Sequence, residues 1–153
     1  SAINTAMKRF HQDFLQGRLD VGDFTQLPYN DAEFDLVVDR GALCCCGLSN
    51  QQKAINEIYR VLNQNGKFLF TPFSDIHTSS RSGKRGEDGL VNDIEAGTLT
   101  GVGQICFLSR RDIDNLFSKE KWDFLKIDHE VITDVLGKEE NINSSWNIIV
   151  QRK

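Results

Sequence analysis

No apolar run in this 153-residue chain approaches the roughly 18 residues of a membrane span, and no basic-then-apolar leader precedes a small-residue cleavage site. On these features the chain reads as soluble and unsecreted, with the cytoplasm as its expected setting. Positive charge is not in excess either. With 18 Lys and Arg against 22 Asp and Glu, a net charge of -4 and a pI near 5.3, no basic field points to nucleic acid or an anionic membrane. Spaced cysteine pairs are missing as well. Of the four cysteines, Cys44, Cys45 and Cys46 are adjacent and Cys106 stands alone, which fits neither a disulfide framework nor a zinc ribbon and suits a reducing compartment. No internal repeat of useful length is visible.

What is present is enough chain for one domain with a core of its own. Ile3, Ala6, Met7, Phe10 and Phe14 recur at helical steps, so a helix is expected over about 2–15, ended by Gly17. Arg18 to Val21 alternates like a short strand, and Leu27 to Asp31 is turn chemistry. Phe34 to Val38 is a nearly continuous apolar run, the pattern of a parallel strand covered on both faces. Ser49 and Gln52 read as a capping box for a helix with the stripe Ala54, Ile55, Ile58, Val61 and Leu62, which Gly66 stops. Lys67 to Phe73 then reads as a second apolar strand, completing a right-handed βαβ unit.

From Ser74 to Gln104 the periodicity dissolves, and the segment reads as a structureless lid or binding loop. Ser109 and Asp112 open another capped helix carrying Ile113, Leu116 and Phe117. Phe124 to Ile132 and Trp146 to Gln151 look like an antiparallel pair joined by the polar segment from Asp134 to Ser144.

Read together, GDFTQLPYNDAEFDLVVDRGAL, AINEIYRVLNQNGKFLFTPF, LSRRDIDNLF and SSWNIIVQRK resemble the class I S-adenosylmethionine-dependent methyltransferases over nearly the whole chain. The most specific part is Glu57-Ile58-Tyr59-Arg60-Val61-Leu62-Asn63-Gln64-Asn65-Gly66, similar to the family's helix exit E-x-x-R-V-L-K-P-G-G, with Asn63, Gln64 and Asn65 replacing Lys, Pro and the first Gly. The resemblance implies an α/β fold: a Rossmann-like methyltransferase sheet, mostly parallel with an antiparallel C-terminal hairpin. It also implies S-adenosylmethionine as cofactor. Carried over by position, Asp23 would accept a hydrogen bond from the adenine amino group and Phe24 would lie against the ring, at the carboxyl ends of strands where α/β sheets bind ligands. Asp39, Arg40 and Gly41 would meet the methionine part. On the residues alone, Asp23 reads as the cap of a turn after Gly22, and Asp39-Arg40 as the solvated tip of a strand.

The family's glycine-rich turn and the acid about 20 residues beyond it are not found. Gly97 to Gly103 is glycine-rich, but no strand leads into it. Residues 1–153 therefore read as a single, N-terminally incomplete methyltransferase-like domain lacking the first two strands, whose exposed sheet edge calls for a homodimer or a missing N-terminal segment. The three adjacent cysteines diverge too strongly for a tetrahedral metal and read as small hydrophobes behind the cofactor loop. No catalytic base stands out. His77 on the long loop is the candidate, set against a solvated loop histidine. The expected function is S-adenosylmethionine-dependent methyl transfer to a small-molecule acceptor by a domain that reads as truncated or deficient in cofactor binding, with a non-catalytic assembly or binding module as the alternative.

Overall fold

Two strands that run the same way need a crossover long enough to bring the chain back, and the apolar runs near positions 36 and 69 are separated by one helix of suitable length. In the computed structural model, which describes residues 2–137 and 141–153, that unit is the centre of the molecule. Helix α1 (Ala2–Gln12) comes first, and an irregular segment leads to strand β1 (Phe34–Asp39). A 3-10 turn at Leu43–Cys45 precedes α2 (Leu48–Val61), which passes directly into β2 (Leu62–Phe70). Strands β1 and β2 pair in parallel, with Leu36 opposite Lys67 and Val38 opposite Leu69. Then follow α3 (Thr78–Ser82), β3 (Lys84–Arg85), β4 (Leu90–Asn92), β5 (Ile105–Cys106), α4 (Arg110–Leu116), β6 (Trp122–Asp134) and β7 (Asn141–Arg152). The main sheet has the order β1-β2-β7-β6, its last three strands antiparallel, so parallel pairing is confined to β1 and β2. Among the described residues no helix is long and apolar enough to cross a membrane.

The core lies on one side of this sheet. The α2 stripe of Ala54, Ile55, Ile58 and Val61 and the α4 residues Ile113 and Leu116 cover Phe68, Phe70, Ile148 and Val150. Phe68 and Phe70 stack at 5.5 Å between ring centroids, and Phe117 and Trp122 close the end of the layer. On the other face Leu36 and Val38 are 57% and 54% exposed. The two-sided coverage expected of β1 is thus one-sided in the described chain.

Several local expectations are corrected. Arg18 to Val21 forms no strand: alternation alone, without a neighbour to supply hydrogen bonds, leaves only an isolated bridge between Asp23 and Gln26. Helix α1 stops at Gln12, and Phe14 takes a left-handed φ of 52° with its ring exposed. The Ser49–Gln52 capping box does not form. Gly47 is the N-cap of α2, and the free N–H of Ser49 is taken by the Asp88 carboxylate, 3.0 Å away, from the far side of the long connection. The box at Ser109 and Asp112 forms as expected. Strand β2 begins earlier and ends earlier than the expected Lys67–Phe73, because the chain leaves α2 at Leu62 already extended and the turn at Asn65 has a φ of 65°.

The segment expected as a structureless lid is built. Strands β3, β4 and β5 form a small antiparallel sheet with its own core of Val91, Ile94, Ile105 and Phe107 against Cys44. The C-terminal hairpin is longer than expected, absorbing most of the polar joining segment; of that segment, residues 138–140 lie outside the described residues.

Phe70 is fully buried between the sheet and Phe117. Phe70→Ala should lower the unfolding free energy by about 3–5 kcal/mol, read from chemical denaturation.

Candidate functional site

The carboxyl end of β1 lies beside the carboxyl end of β2, with the Thr71 hydroxyl 3.4 Å from the Asp39 carbonyl oxygen. At that end the chain opens a cavity of about 210 Å³ lined by Phe24, Leu27, Val37, Val38, Asp39, Ala42, Leu43 and Ile58. Its walls are apolar apart from one carboxylate.

Asp39 is 7% exposed. Its Oδ1 accepts the amide N–H groups of Ala42 at 3.1 Å and Leu43 at 3.2 Å, which caps the 3-10 turn behind the strand. Its Oδ2 is buried and has no hydrogen-bond partner. Burial raises the Asp39 carboxyl above the ordinary carboxylate range, against the pull of the amides it accepts. A buried carboxylate oxygen left unpaired is costly and rare. Gly41 lets the chain turn away from the strand: its φ is 81°, and nothing lies within 4 Å of where a Cβ would sit, so backbone conformation rather than space favours glycine. Arg40 is exposed.

Of the residues expected at a cofactor site, Phe24 and Asp39 are brought to one cavity. Asp23 is exposed, and its Oδ1 accepts from the Thr25 hydroxyl at 2.7 Å and the Thr25 amide at 2.8 Å. Those two bonds, the hydroxyl first, hold its carboxyl below the usual range. The turn-capping geometry is therefore realised at Asp23. Leu27, Ala42, Leu43 and Ile58 complete the wall and are not singled out by sequence, because nothing in their spacing separates a ligand-facing apolar residue from a core one.

The cysteines divide. Cys44 is buried, and its thiol donates to the Gly41 carbonyl at 3.2 Å; burial pushes it up to about 12. Burial does the same to Cys106. These two serve as packed small side chains, as expected, and their thiols stay protonated at neutral pH. Cys45 is exposed and Cys46 half-buried, so the expectation of three packed thiols holds for only one of the run. Among the described residues no group of three or more His, Cys, Asp or Glu could hold a metal ion.

His77 is not a solvated loop histidine. It is fully buried, its Nδ1 accepting the Ser79 N–H at 3.0 Å and its Nε2 3.2 Å from the Thr98 hydroxyl, with the rings of Phe73 and Phe107 against it. Burial lowers its pKa. Sequence reasoning also passed over His129, whose Nε2 lies 2.9 Å from both the Ser74 and Ser144 hydroxyls and whose ring stacks on Trp146. No local signal marks it, since its partners come from two segments distant in sequence, Ser74 and the β7 residues Ser144 and Trp146.

Residues 1–70, which run from α1 to the end of β2, match the family model of the methyltransferase domain. No curated protein matches the chain. Among solved structures it is similar to a SAM-dependent methyltransferase from Methanosarcina mazei, at 17% identity and a TM-score of 0.75, covering 98% of this chain and 76% of that one. An S-adenosylmethionine-dependent methyltransferase from Clostridium acetobutylicum aligns at 15% identity and a TM-score of 0.67, over 97% of this chain and 70% of the other. Burkholderia thailandensis 1,6-didemethyltoxoflavin-N1-methyltransferase, solved with 1,6-didemethyltoxoflavin and S-adenosylhomocysteine, aligns at 12% identity and a TM-score of 0.61, over 96% of this chain and 56% of that enzyme. At such identities these structures speak for the fold. The fold is thus that of the class I S-adenosylmethionine-dependent methyltransferases. The first 70 residues carry the sequence pattern of the methyltransferase domain.

Two buried groups give opposed pH dependences. Asp39, raised by burial, contributes stability below its unfolded value of 3.8 and loses it as pH rises through its folded value. His77, lowered by burial, contributes stability above its unfolded value of 6.5 and loses it as pH falls below that. Asp39→Asn keeps an acceptor for both amides and removes the buried charge. It should stabilise the protein at pH 7 by about 1 kcal/mol. That gain should grow as pH rises from 3.8 and then level off. Denaturant titrations of both proteins from pH 3 to 8 check it.

Proposed function

We propose that this chain is an S-adenosylmethionine-dependent methyltransferase domain acting on a small-molecule acceptor. The observation that carries the reading is Asp39, a buried carboxylate with an unpaired oxygen at the end of a parallel strand, lining a cavity whose remaining wall is apolar. This donor set fits parts of the cofactor: a carboxylate for its ammonium group and apolar side chains for its uncharged parts. Asp39 holds the ammonium. Phe24 lies along the adenine, with Asp23 next to it in the chain as an acceptor for the adenine amino group. Gly41 and Arg40 form the turn along the methionine part.

The bound cofactor supplies an electrophilic methyl on a sulfonium. The protein contributes orientation: in-line displacement depends mainly on holding the reacting atoms in line, and a base is needed only for an acidic hydroxyl or amine acceptor. The buried, high-pKa thiols and the enclosed His77 offer no such base, so none is assigned.

At about 210 Å³ the cavity is smaller than the roughly 300 Å³ at which small-molecule sites begin. The second wall of the site is therefore supplied from beyond β1, whose outer edge has no partner among the described strands. The occupant proposed for that edge is a second copy of the chain. A monodisperse monomer by light scattering would count against this part of the reading. The four free thiols among the described residues accord with a reducing, cytoplasmic setting.

Calorimetry with S-adenosylhomocysteine tests the central assignment. Micromolar binding is expected, and Asp39→Asn should weaken it about tenfold or more, the share of a hydrogen bond to a charged group. Binding no tighter than millimolar in the unaltered protein would favour a non-catalytic assembly module.

A further inference from the structure

Glu57 and Arg60 are the fixed letters at the head of the helix-exit motif, and neither lines the cavity. They form a bidentate pair on α2, with Arg60 Nε 3.0 Å from Glu57 Oε1 and Nη2 2.8 Å from Oε2. The pair spends its remaining bonding capacity on one segment. Arg60 Nη2 donates to the Leu27 carbonyl at 3.0 Å, and Nη1 donates to the Tyr29 carbonyl and the Asp31 carboxylate, both at 2.8 Å. Glu57 Oε2 accepts the Leu27 N–H at 2.9 Å. Both polar groups of the Leu27 backbone are therefore held by side chains of α2, across 30 or more residues of sequence.

This segment needs such an anchor. Between α1 and β1 the chain has no helix or strand, only the bridge from Asp23 to Gln26. Yet it delivers two walls of the cavity, Phe24 and Leu27. An irregular stretch without ladder bonds takes its position from whatever fixes its backbone. Arg60 is only 30% exposed at its side chain and Glu57 21%, so the pair is sheltered from water. Its mutual attraction holds Glu57 below and Arg60 above their usual values.

We propose that the Glu57–Arg60 pair is a positioning device for the cofactor cavity: it fixes the Leu27 backbone and thereby sets where Phe24 and Leu27 meet the ligand. The inference rests on the cofactor reading above. The planar fork of Arg60 serves carbonyls in two directions while remaining paired with the carboxylate, which the single ammonium of lysine cannot reproduce. The apolar stripe that holds α2 to the core lies on other residues, so loosening the segment leaves the core in place.

The test compares the intact protein with Arg60→Lys, Glu57→Gln and Asp31→Asn by calorimetry with S-adenosylhomocysteine, alongside hydrogen exchange at single amides. Arg60→Lys should weaken binding about tenfold and speed exchange at the Leu27 amide, with the Phe68 and Phe70 amides unchanged; a purely structural role would move the core amides too. Asp31→Asn, which spares both carbonyl contacts, should bind within about twofold of the unaltered protein. Should Arg60→Lys fail to fold, Glu57→Gln carries the test, with weaker binding expected and unaltered binding overturning the proposal. Faster exchange at Leu27 with undiminished affinity in Arg60→Lys would overturn the positioning role alone. Absence of binding in the unaltered protein would instead sink the cofactor reading, and this inference with it.

Discussion

The parallel pairing of β1 with β2 is the constraint from which the rest of this molecule follows. It fixes the crossover of α2 onto one face, and with it the side on which Phe68, Phe70, Ile148 and Val150 are buried. It also places both strands' carboxyl ends together, and where the chain turns away at Asp39 a crevice is walled by that turn, by Phe24 and Leu27 of the preceding segment and by Ile58 of α2. A register slip of one residue would turn Phe68 and Phe70 out of the core and carry Asp39 away from the cavity. Fold and site are thus specified by the same hydrogen-bond ladder.

At that crevice the structure tolerates an unfavourable arrangement. Asp39 is kept out of water with one oxygen satisfied by two amides and the other unpaired, although an asparagine would meet the same amides at lower electrostatic cost. Where a folded chain retains a group that its own stability disfavours, a role in binding is the economical physical reason. His77 presents a contrast. Its buried ring meets partners at both nitrogens and packs against Phe73 and Phe107, so its perturbed pKa reflects architecture.

The elements legible in the sequence are those whose periodicity is strong and whose partners are near. The α2 stripe, the apolar runs of β1 and β2, the Ser109 capping box and the terminal hairpin all belong to this class. The small sheet was illegible because its strands are two or three residues long, too short to show an alternation. The N-terminus of α2 misled for another reason: its cap comes from Asp88, far along the chain, and local spacing carries no trace of that contact. In the candidate site, Phe24 and Asp39 were reached through family resemblance, whereas Leu27, Ala42, Leu43 and Ile58 look like any other core residue until the fold assembles them. Glu57 and Arg60 were visible as motif letters, but what they hold became apparent only with the loop in place.

The claim that a single ligand site joins the end of β1 to the segment before it is most directly examined by amide NMR during titration with S-adenosylhomocysteine. The account predicts that amides of residues 23–27 and 39–43 shift together along one saturation curve, while those of the outer hairpin stay still. Shifts confined to α1 or the hairpin, or two segments that saturate at different concentrations, would contradict it.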